Sequence, residues 1–227
     1  MRPKKLVIAI DGPAASGKST TARLSAEELG YLHIDTGAMY RAVTLKVLRA
    51  GLSPDDEAGV RALVQSTHVA LTRKGGRLHV LLDGEDVSAE IRSPAVTGAV
   101  STVSSQRAVR EAMVREQRRM GRHGGIVLEG RDIGTVVFPD ADLKFFLTAG
   151  IEARAVRRQG DLRAQGIEAR IESLREEIQE RDRKDATRTE SPLKMAPDAI
   201  IVDTSDMSID EQVGVVVKTA KERMKKG

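Results

Sequence analysis

The chain of 227 residues contains no cysteine, tryptophan or asparagine, and aromatic residues make up only 2% of it. Without cysteine there is neither a disulfide framework nor a thiolate metal site. The scarcity of aromatics removes the stacking platforms that bind bases of single-stranded nucleic acid. No apolar run approaches membrane-spanning length, and residues 1–6 carry no signal-peptide pattern. We therefore expect a cytoplasmic protein without membrane contact.

The amino-acid composition predicts a soluble, globular protein. Hydrophobic residues make up 40% and charged residues 31% of the chain, enough for one compact α/β domain with appendages. The net charge is +4, and the excess is mainly arginine in the second half. Planar guanidinium groups suit the phosphate oxygens of small anionic substrates. The basic balance alone also allows a nucleic-acid-binding module, which would bind DNA or RNA in a salt-dependent manner, but we expect no nucleic-acid partner.

A phosphate-binding motif stands at the start of the chain. Residues 6–10 form an unbroken apolar run, typical of a strand buried on both faces, and Asp11 ends it. The sequence Gly12-x-x-x-x-Gly17-Lys18-Ser19 follows and matches the P-loop. Apolar residues at helical spacing then run to Leu29. A strand before and a helix after are the context that a P-loop requires, so the sequence predicts nucleotide binding.

Each residue type in this motif has a chemical reason. Gly12 and Gly17 allow a backbone whose N–H groups face one concavity, and the start of the helix adds its partial positive charge. Lys18 reaches the β- and γ-phosphates, and the Ser19 hydroxyl is offered to Mg²⁺. A glycine-rich turn that binds nothing is the alternative.

The second strand, at 31–35, also ends in polar residues. Asp35 and Thr36 close it, and Arg41 follows one turn into the next predicted helix. In an open parallel sheet, ligands bind outside the carboxyl ends of the strands, so these side chains are expected to face the same crevice as the P-loop. Arg41 is a candidate phosphate clamp or a solvated helix arginine, and spacing does not decide between the two.

A third buried strand, at 125–129, ends in Glu129 and leads into Gly130-Arg131-Asp132. Two acids and an arginine are costly to place in a core and natural in a binding crevice. Strands alternating with helices therefore predict a doubly wound parallel sheet of the P-loop type.

Two segments depart from this alternation. Residues 63–100 contain two strands around a turn at Gly75-Gly76, and we predict a small antiparallel insert in the monophosphate-binding region. Residues 151–188 are helical, rich in arginine and broken near Gly166. They form either a mobile lid over a triphosphate or two exposed helices with paired charges. The core is then expected to comprise 1–62, 101–150 and 189–227.

Four motifs in order carry a family resemblance. They are D-G-P-A-A-S-G-K-S-T from Asp11, D-T-G-A-M-Y-R from Asp35, E-G-R-D-I-G-T-V-V-F-P from Glu129, and R-D-x-x-D-x-x-R from Arg181. Together they resemble bacterial cytidylate kinases over essentially the whole chain. The resemblance implies transfer of the ATP γ-phosphoryl group to CMP or dCMP with Mg²⁺, without a covalent enzyme intermediate. A monomer is expected.

The resemblance also implies site residues. Those expected to hold the ATP phosphates are Gly12, Pro13, Ala14, Ala15, Ser16, Gly17, Lys18, Ser19 and Thr20. Those expected around cytosine are Thr36, Arg110, Asp132 and Arg188, and those expected on the sugar are Ser101, Arg181 and Asp185. Arg41 and Arg131 would grip the acceptor phosphate. Lys18, Arg131, Arg157 and Arg158 would act on the transferring group. Ser19 would bind Mg²⁺, with Glu129 and Asp35 as further candidates through water. Some members have serine where this chain has Thr36, and some have aspartate where it has Glu129.

The chemistry of cytosine agrees with these roles. A carboxylate can accept from the exocyclic amine, whereas uracil would place a carbonyl against the buried anion. A P-loop kinase for another substrate, such as UMP, AMP or shikimate, is the alternative. A GTPase-like switch would need an Asn-Lys-x-Asp motif, and the chain has no asparagine.

Overall fold

The computed structural model describes residues 5–74, 77–164 and 166–226. The strands within these ranges are β1 (Val7–Asp11), β2 (Leu32–Asp35), β3 (Val69–Lys74), β4 (Arg77–Leu82), β5 (Glu85–Asp86), β6 (Ile126–Gly130), β7 (Leu143–Thr148) and β8 (Ile200–Asp203). The helices are α1 (Lys18–Leu29), α2 (Thr36–Arg49), α3 (Glu57–Gln65), α4 (Pro94–Ser105), α5 (Arg107–Gly121), α6 (Ile151–Arg163), α7 (Ile171–Thr187) and α8 (Ile209–Lys226). No helix in these ranges is long and apolar enough to cross a membrane.

The central sheet places β1 between two parallel partners. Its strand order is β2-β6-β1-β7-β8, with Val7 opposite Ile126 and Ile8 opposite Leu143. Small apolar residues of α1 and α8 pack over this strand, in one core with Phe145. Because β1 is paired on both edges and covered by helices, it needs an unbroken apolar run. The predicted α/β fold with a doubly wound parallel sheet is confirmed.

Two compact units make up the chain. The first covers 1–33 and 123–227 and the second covers 34–122. The second unit contains α2 to α5 and an antiparallel sheet of order β3-β4-β5, in which Val69 lies opposite Leu82. It is larger than the predicted insert of 63–100, because α2 packs against α4, α5 and β4, and α3 packs against α5. The predicted turn at Gly75-Gly76 lies outside the described residues. Separate roles for an insert and a lid stay predictions.

A π-helical turn at Ile133–Val137 follows β6, whereas Gly130 and Gly134 at this point of the sequence predict only a tight loop. The buried carboxylate of Asp11, at the end of β1, accepts hydrogen bonds of 2.8 Å from both Ile133 N and Gly134 N. Burial raises the pKa of Asp11 to about 6, although the two hydrogen bonds act in the opposite direction. The strand that leads into the P-loop therefore also anchors the loop that carries Arg131 and Asp132.

Candidate active site

Neighbouring groups lie too close to the two P-loop glycines to leave room for a side chain. Gly12 has φ +152°, and a Cβ there would lie 2.1 Å from the carbonyl oxygen of Leu147. Gly17 has φ +85°, and a Cβ there would lie 2.7 Å from Gln212 Oε1. Neither position can take a side chain without moving a neighbour. Ser16 Oγ is buried beside Gly12 and has no hydrogen-bond partner among the described residues, so the loop retains a donor for an anion.

Lys18 begins α1 and lies over the loop. Its Nζ donates to the carbonyl oxygen of Pro13 at 2.9 Å. Burial above all, and the charge of Arg131 to a lesser extent, lower the pKa of Lys18 to about 7, although the charge of Glu129 acts in the opposite direction. A phosphate beside this ammonium would favour its charged form, because an anion raises the pKa of a lysine.

Ser19 contacts Glu129 near the carboxyl end of β6. The hydroxyl of Ser19 donates to Glu129 Oε2, and His33 Nε2 lies 3.0 Å from Glu129 Oε1. Burial alone would raise the pKa of Glu129, but the hydrogen bond from His33 and the charge of Lys18 hold it below its usual value. A hydroxyl and an ionised carboxylate are the oxygen ligands that Mg²⁺ prefers, usually together with substrate phosphates and water.

Guanidinium and carboxylate groups form a second cluster after β6. Arg131 Nε donates to Asp185 Oδ2 at 2.7 Å. Arg188 Nη2 lies 3.9 Å from Asp132 Oδ1, and its Nη1 lies 4.0 Å from Asp185 Oδ1. Burial alone would raise the pKa of Asp185, but Arg131, Arg181 and Arg188 hold it below its usual value. The structure thus brings together five of the residues predicted to bind the acceptor nucleotide.

A further ion pair joins the two helices of the segment 151–188. Arg154 on α6 donates to Asp182 Oδ2 on α7 at 2.5 Å, and the same nitrogen lies 3.4 Å from the carbonyl oxygen of Ala14 in the P-loop. Arg154 is 8% exposed. Its Nε and Asp182 Oδ1 are buried without a hydrogen-bond partner among the described residues. A buried cation with a spare donor therefore lies against the phosphate-binding loop.

The two arginines predicted to act on the transferring group have different neighbours. Arg157 donates to both the hydroxyl and the carbonyl of Thr204, which follows β8. Thr204 in turn donates to the P-loop at Ser16 O, at 3.0 Å. Arg158 lies 3.9 Å from Glu177 on α7, as expected of exposed helices with paired charges. A role for either arginine at the transferring group stays a prediction.

A cavity of about 550 Å³ lies beside the P-loop. Its wall comes from the start of α1, from Arg157, and from the segment Met207–Ile209 with Gln212. Gln212 is buried, and its Oε1 accepts from Thr21 Oγ1 at 2.8 Å, so α8 braces α1 at this point. The cavity adjoins the phosphate cradle, and its volume lies within the range of small-molecule sites.

The remaining predicted residues belong to the second unit. Asp35 Oδ1 accepts from Ala38 N and caps α2, while Arg41 donates to Ile91 O at 3.2 Å and Thr97 Oγ1 at 2.9 Å. Arg41 is therefore not a solvated helix arginine. Arg110 is buried, with its guanidinium 5.2 Å from the centre of the Tyr40 ring.

Thr36 is buried at the start of α2 and Ser101 is half-buried on α4. The predicted ligand contacts of Thr36 and Ser101, like those of Asp35, Arg41 and Arg110, stay predictions.

Sequence reasoning assigned no site role to five residues that support the cradle or the ion pairs. These are Asp11, His33, Arg154, Asp182 and Thr204. A signal exists for Thr204, because it stands directly after a strand of the parallel sheet, where ligand-binding residues concentrate. Arg154 is one of several arginines on a helix, and nothing in the spacing separates it from the others.

Comparisons with known proteins agree with this geometry. The family model described as cytidylate kinase matches residues 8–222. A curated protein named cytidylate kinase from Geobacter sp. (strain M21) is 46% identical over 100% of this chain and 97% of its own length. Another, from Pelotomaculum thermopropionicum, is 54% identical over 92% of this chain and 93% of its own length.

A solved structure of an uncharacterized protein from Eubacterium ventriosum covers 96% of this chain and 99% of its own, with a TM-score of 0.52 and 11% identity. At that identity it supports the fold alone. The family model and the curated relatives span the P-loop and the Arg131–Asp185 cluster alike, and they confirm the resemblance carried by the four motifs: the chain belongs to the cytidylate kinase family.

Proposed function

We propose that the chain transfers the γ-phosphoryl group of ATP to CMP or dCMP in the presence of Mg²⁺. The observation that carries this proposal is the pair of charged clusters described above. Lys18 and Ser19 of the P-loop lie with Glu129 in the first cluster. Asp132, which follows β6, lies with Arg188 in the second. One cluster suits a polyphosphate with its cation, and the other suits a polar base joined to a phosphate.

The donor phosphates are assigned to the P-loop. Its backbone N–H groups and the start of α1 bind oxygens, and Lys18 adds a charge that is strong because the group is buried. The nucleoside part of ATP is assigned to the cavity beside Arg157 and Gln212. A guanidinium group can stack on a base, and the volume of about 550 Å³ leaves room for one.

The cation is assigned to Ser19 directly and to Glu129 through water. The Ser19 hydroxyl donates its hydrogen bond to Glu129, which leaves the lone pairs of its oxygen for a ligand. A cation held by these residues would supply positive charge that offsets the negative charge developing on the phosphate oxygens during transfer. Asp35 stays a candidate from the resemblance.

The acceptor base is assigned to Asp132 and Arg188. The carboxylate can accept from the exocyclic amine of cytosine, and the guanidinium can donate to the acceptor side of the ring. Asp185 holds Arg131 at 2.7 Å, which fixes a cation for the acceptor phosphate. Arg181, whose charge acts on Asp185, is assigned together with Asp185 to the sugar of the acceptor, as the resemblance implies.

Transfer itself needs alignment and positive charge more than covalent work by the protein. Lys18, Arg131 and Arg154 lie around the P-loop and can stabilise oxygens that gain charge in the transition state. The proposal therefore includes no nucleophilic side chain.

A change at Arg154 tests its part in transfer. Arg154→Met is expected to lower kcat about 100-fold, as the loss of one buried donor at developing charge does in other enzymes. The KM for CMP should change less than threefold. Steady-state kinetics with saturating ATP measures both, and a loss confined to the KM for CMP would contradict the assignment.

Two further variants separate charge from folding at this site. Arg163→Met, at the exposed end of the same helix, should keep wild-type kinetics. Asp182→Asn should keep the fold but hold Arg154 less firmly, so we expect an intermediate loss of kcat.

The proposed reaction is tested by a coupled assay of ADP release across nucleoside monophosphates. CMP and dCMP should exceed UMP and AMP by about 100-fold or more in kcat/KM, because a buried carboxylate left facing a carbonyl is unpaired. Phosphorylation of UMP, AMP or shikimate well above CMP would favour the alternative of another P-loop kinase.

A further inference from the structure

A histidine from β2 contacts the carboxylate beside the P-loop. His33 Nε2 lies 3.0 Å from Glu129 Oε1, and the two side chains are 11% and 3% exposed. The other oxygen of Glu129 accepts from the Ser19 hydroxyl. Because an ionised carboxylate can only accept, Nε2 of His33 is the donor. One buried carboxylate is thus held from both sides.

The direction of these bonds matters for Ser19. A hydroxyl that binds a cation does so through its oxygen lone pairs, so its proton must point elsewhere. The Ser19 hydroxyl donates that proton in its hydrogen bond to Glu129 Oε2. A glutamate side chain bonded at one oxygen alone can still rotate about its terminal bonds, and a second bond at the other oxygen stops that rotation.

We propose that His33 is a positioning residue for the cation that accompanies the donor nucleotide. It fixes Glu129, and Glu129 fixes the Ser19 hydroxyl, so that the Glu129 and Ser19 side chains keep one arrangement. This inference rests on the proposed function only in taking a nucleotide with a divalent cation as the ligand. Outer-shell partners of this kind typically change metal affinity by about 10- to 100-fold when removed.

The chain offers a matched control. His79 on β4 makes the same type of contact, with Nδ1 2.6 Å from Asp86 Oδ2. Both residues belong to the antiparallel sheet. His79→Leu therefore removes a histidine–carboxylate contact of the same kind from the antiparallel sheet.

The test compares His33→Leu, His33→Gln and His79→Leu. ADP binding is measured by calorimetry twice, in EDTA and with saturating Mg²⁺, and the Mg²⁺ concentration for half-maximal activity is measured separately. His33→Leu should raise that concentration about tenfold and lose the same factor in Mg²⁺-dependent ADP affinity. Affinity in EDTA should stay within twofold. His33→Gln, whose amide can donate from a similar position, should restore most of the loss, and His79→Leu should match the wild type.

Two results would overturn the inference. One is an unchanged Mg²⁺ requirement in His33→Leu. The other is an equal loss of ADP affinity with and without Mg²⁺, which would indicate general damage to the P-loop. If His33→Leu fails to fold, His33→Asn against His33→Gln gives the same comparison, since only the longer amide reaches Glu129. Calorimetry with ADP does not depend on the acceptor, so failure of the CMP assay would leave this result interpretable.

Discussion

Lys18→Ala is expected to lower kcat/KM by about 1000-fold, or about 4 kcal/mol of transition-state stabilisation. The ammonium is buried, its pKa is lowered to about 7 by that burial, and it lies at the start of α1 over the P-loop carbonyl of Pro13. A charge in such a place is worth far more toward phosphate oxygens than one in water, because the surroundings do not screen it. Most of the loss should fall on kcat.

The fold should survive this change. Removing an amine that is costly to bury leaves the apolar contacts of β1 and α1 in place, so the melting temperature should not drop. Lys221→Ala is the matched control, since Lys221 forms an exposed ion pair with Glu28 at 2.9 Å. Kinetics and thermal melting of both variants decide the matter. Substantial residual activity in Lys18→Ala would remove the P-loop assignment.

Asp132→Ala is expected to lower kcat/KM for CMP by about 100-fold, or about 3 kcal/mol, because it removes the acceptor for the cytosine amine and leaves Arg188 without that carboxylate. The KM for ATP should stay within twofold, since the donor phosphates are assigned to the P-loop. Equal losses for both nucleotides would show that the residue is misassigned.

Asp132→Asn tests specificity at the same position. Its amide can donate to the carbonyl that uracil presents in place of the amine. The ratio of CMP to UMP in kcat/KM should therefore fall by about tenfold, even if both reactions become slower. Asp140→Ala, an exposed acid farther along the same loop, serves as the control and should keep the wild-type ratio. A ratio unchanged in Asp132→Asn would exclude Asp132 from base recognition.

The P-loop could be predicted residue by residue because its geometry constrains the sequence there. The backbone passes 2.1 Å from where a Cβ of Gly12 would stand, so the position admits glycine alone. The same holds for the parallel sheet, since a central strand covered on both faces requires an apolar run such as 6–10. The π-helical turn could not be predicted, because Asp11 and the N–H groups it accepts from are 122 and 123 residues apart in sequence.

Site residues that belong to sequence motifs could be predicted. Contacts that depend on how helices and strands pack against one another could not. The segment from Arg181 to Arg188 was placed by resemblance, and its side chains do meet Arg131 and Asp132. Helical spacing gave no preference among the arginines of α6. The contact between Arg154 and Asp182 depends on how α6 packs on α7, which periodicity does not specify. The contact of His33 with Glu129 likewise depends on which strands are neighbours.

The bridge from Asp11 to the turn after β6 has a consequence for how acceptor choice can evolve. It ties the recognition loop to the strand that supports the phosphate cradle, through backbone N–H groups that every residue except proline supplies. Side chains on that loop can then be exchanged while the spacing between cradle and loop is inherited unchanged. A library that randomises Asp132 and Arg188 but keeps Asp11 would sample new acceptors while the phosphate-binding loop and its distance to the recognition loop stay unchanged.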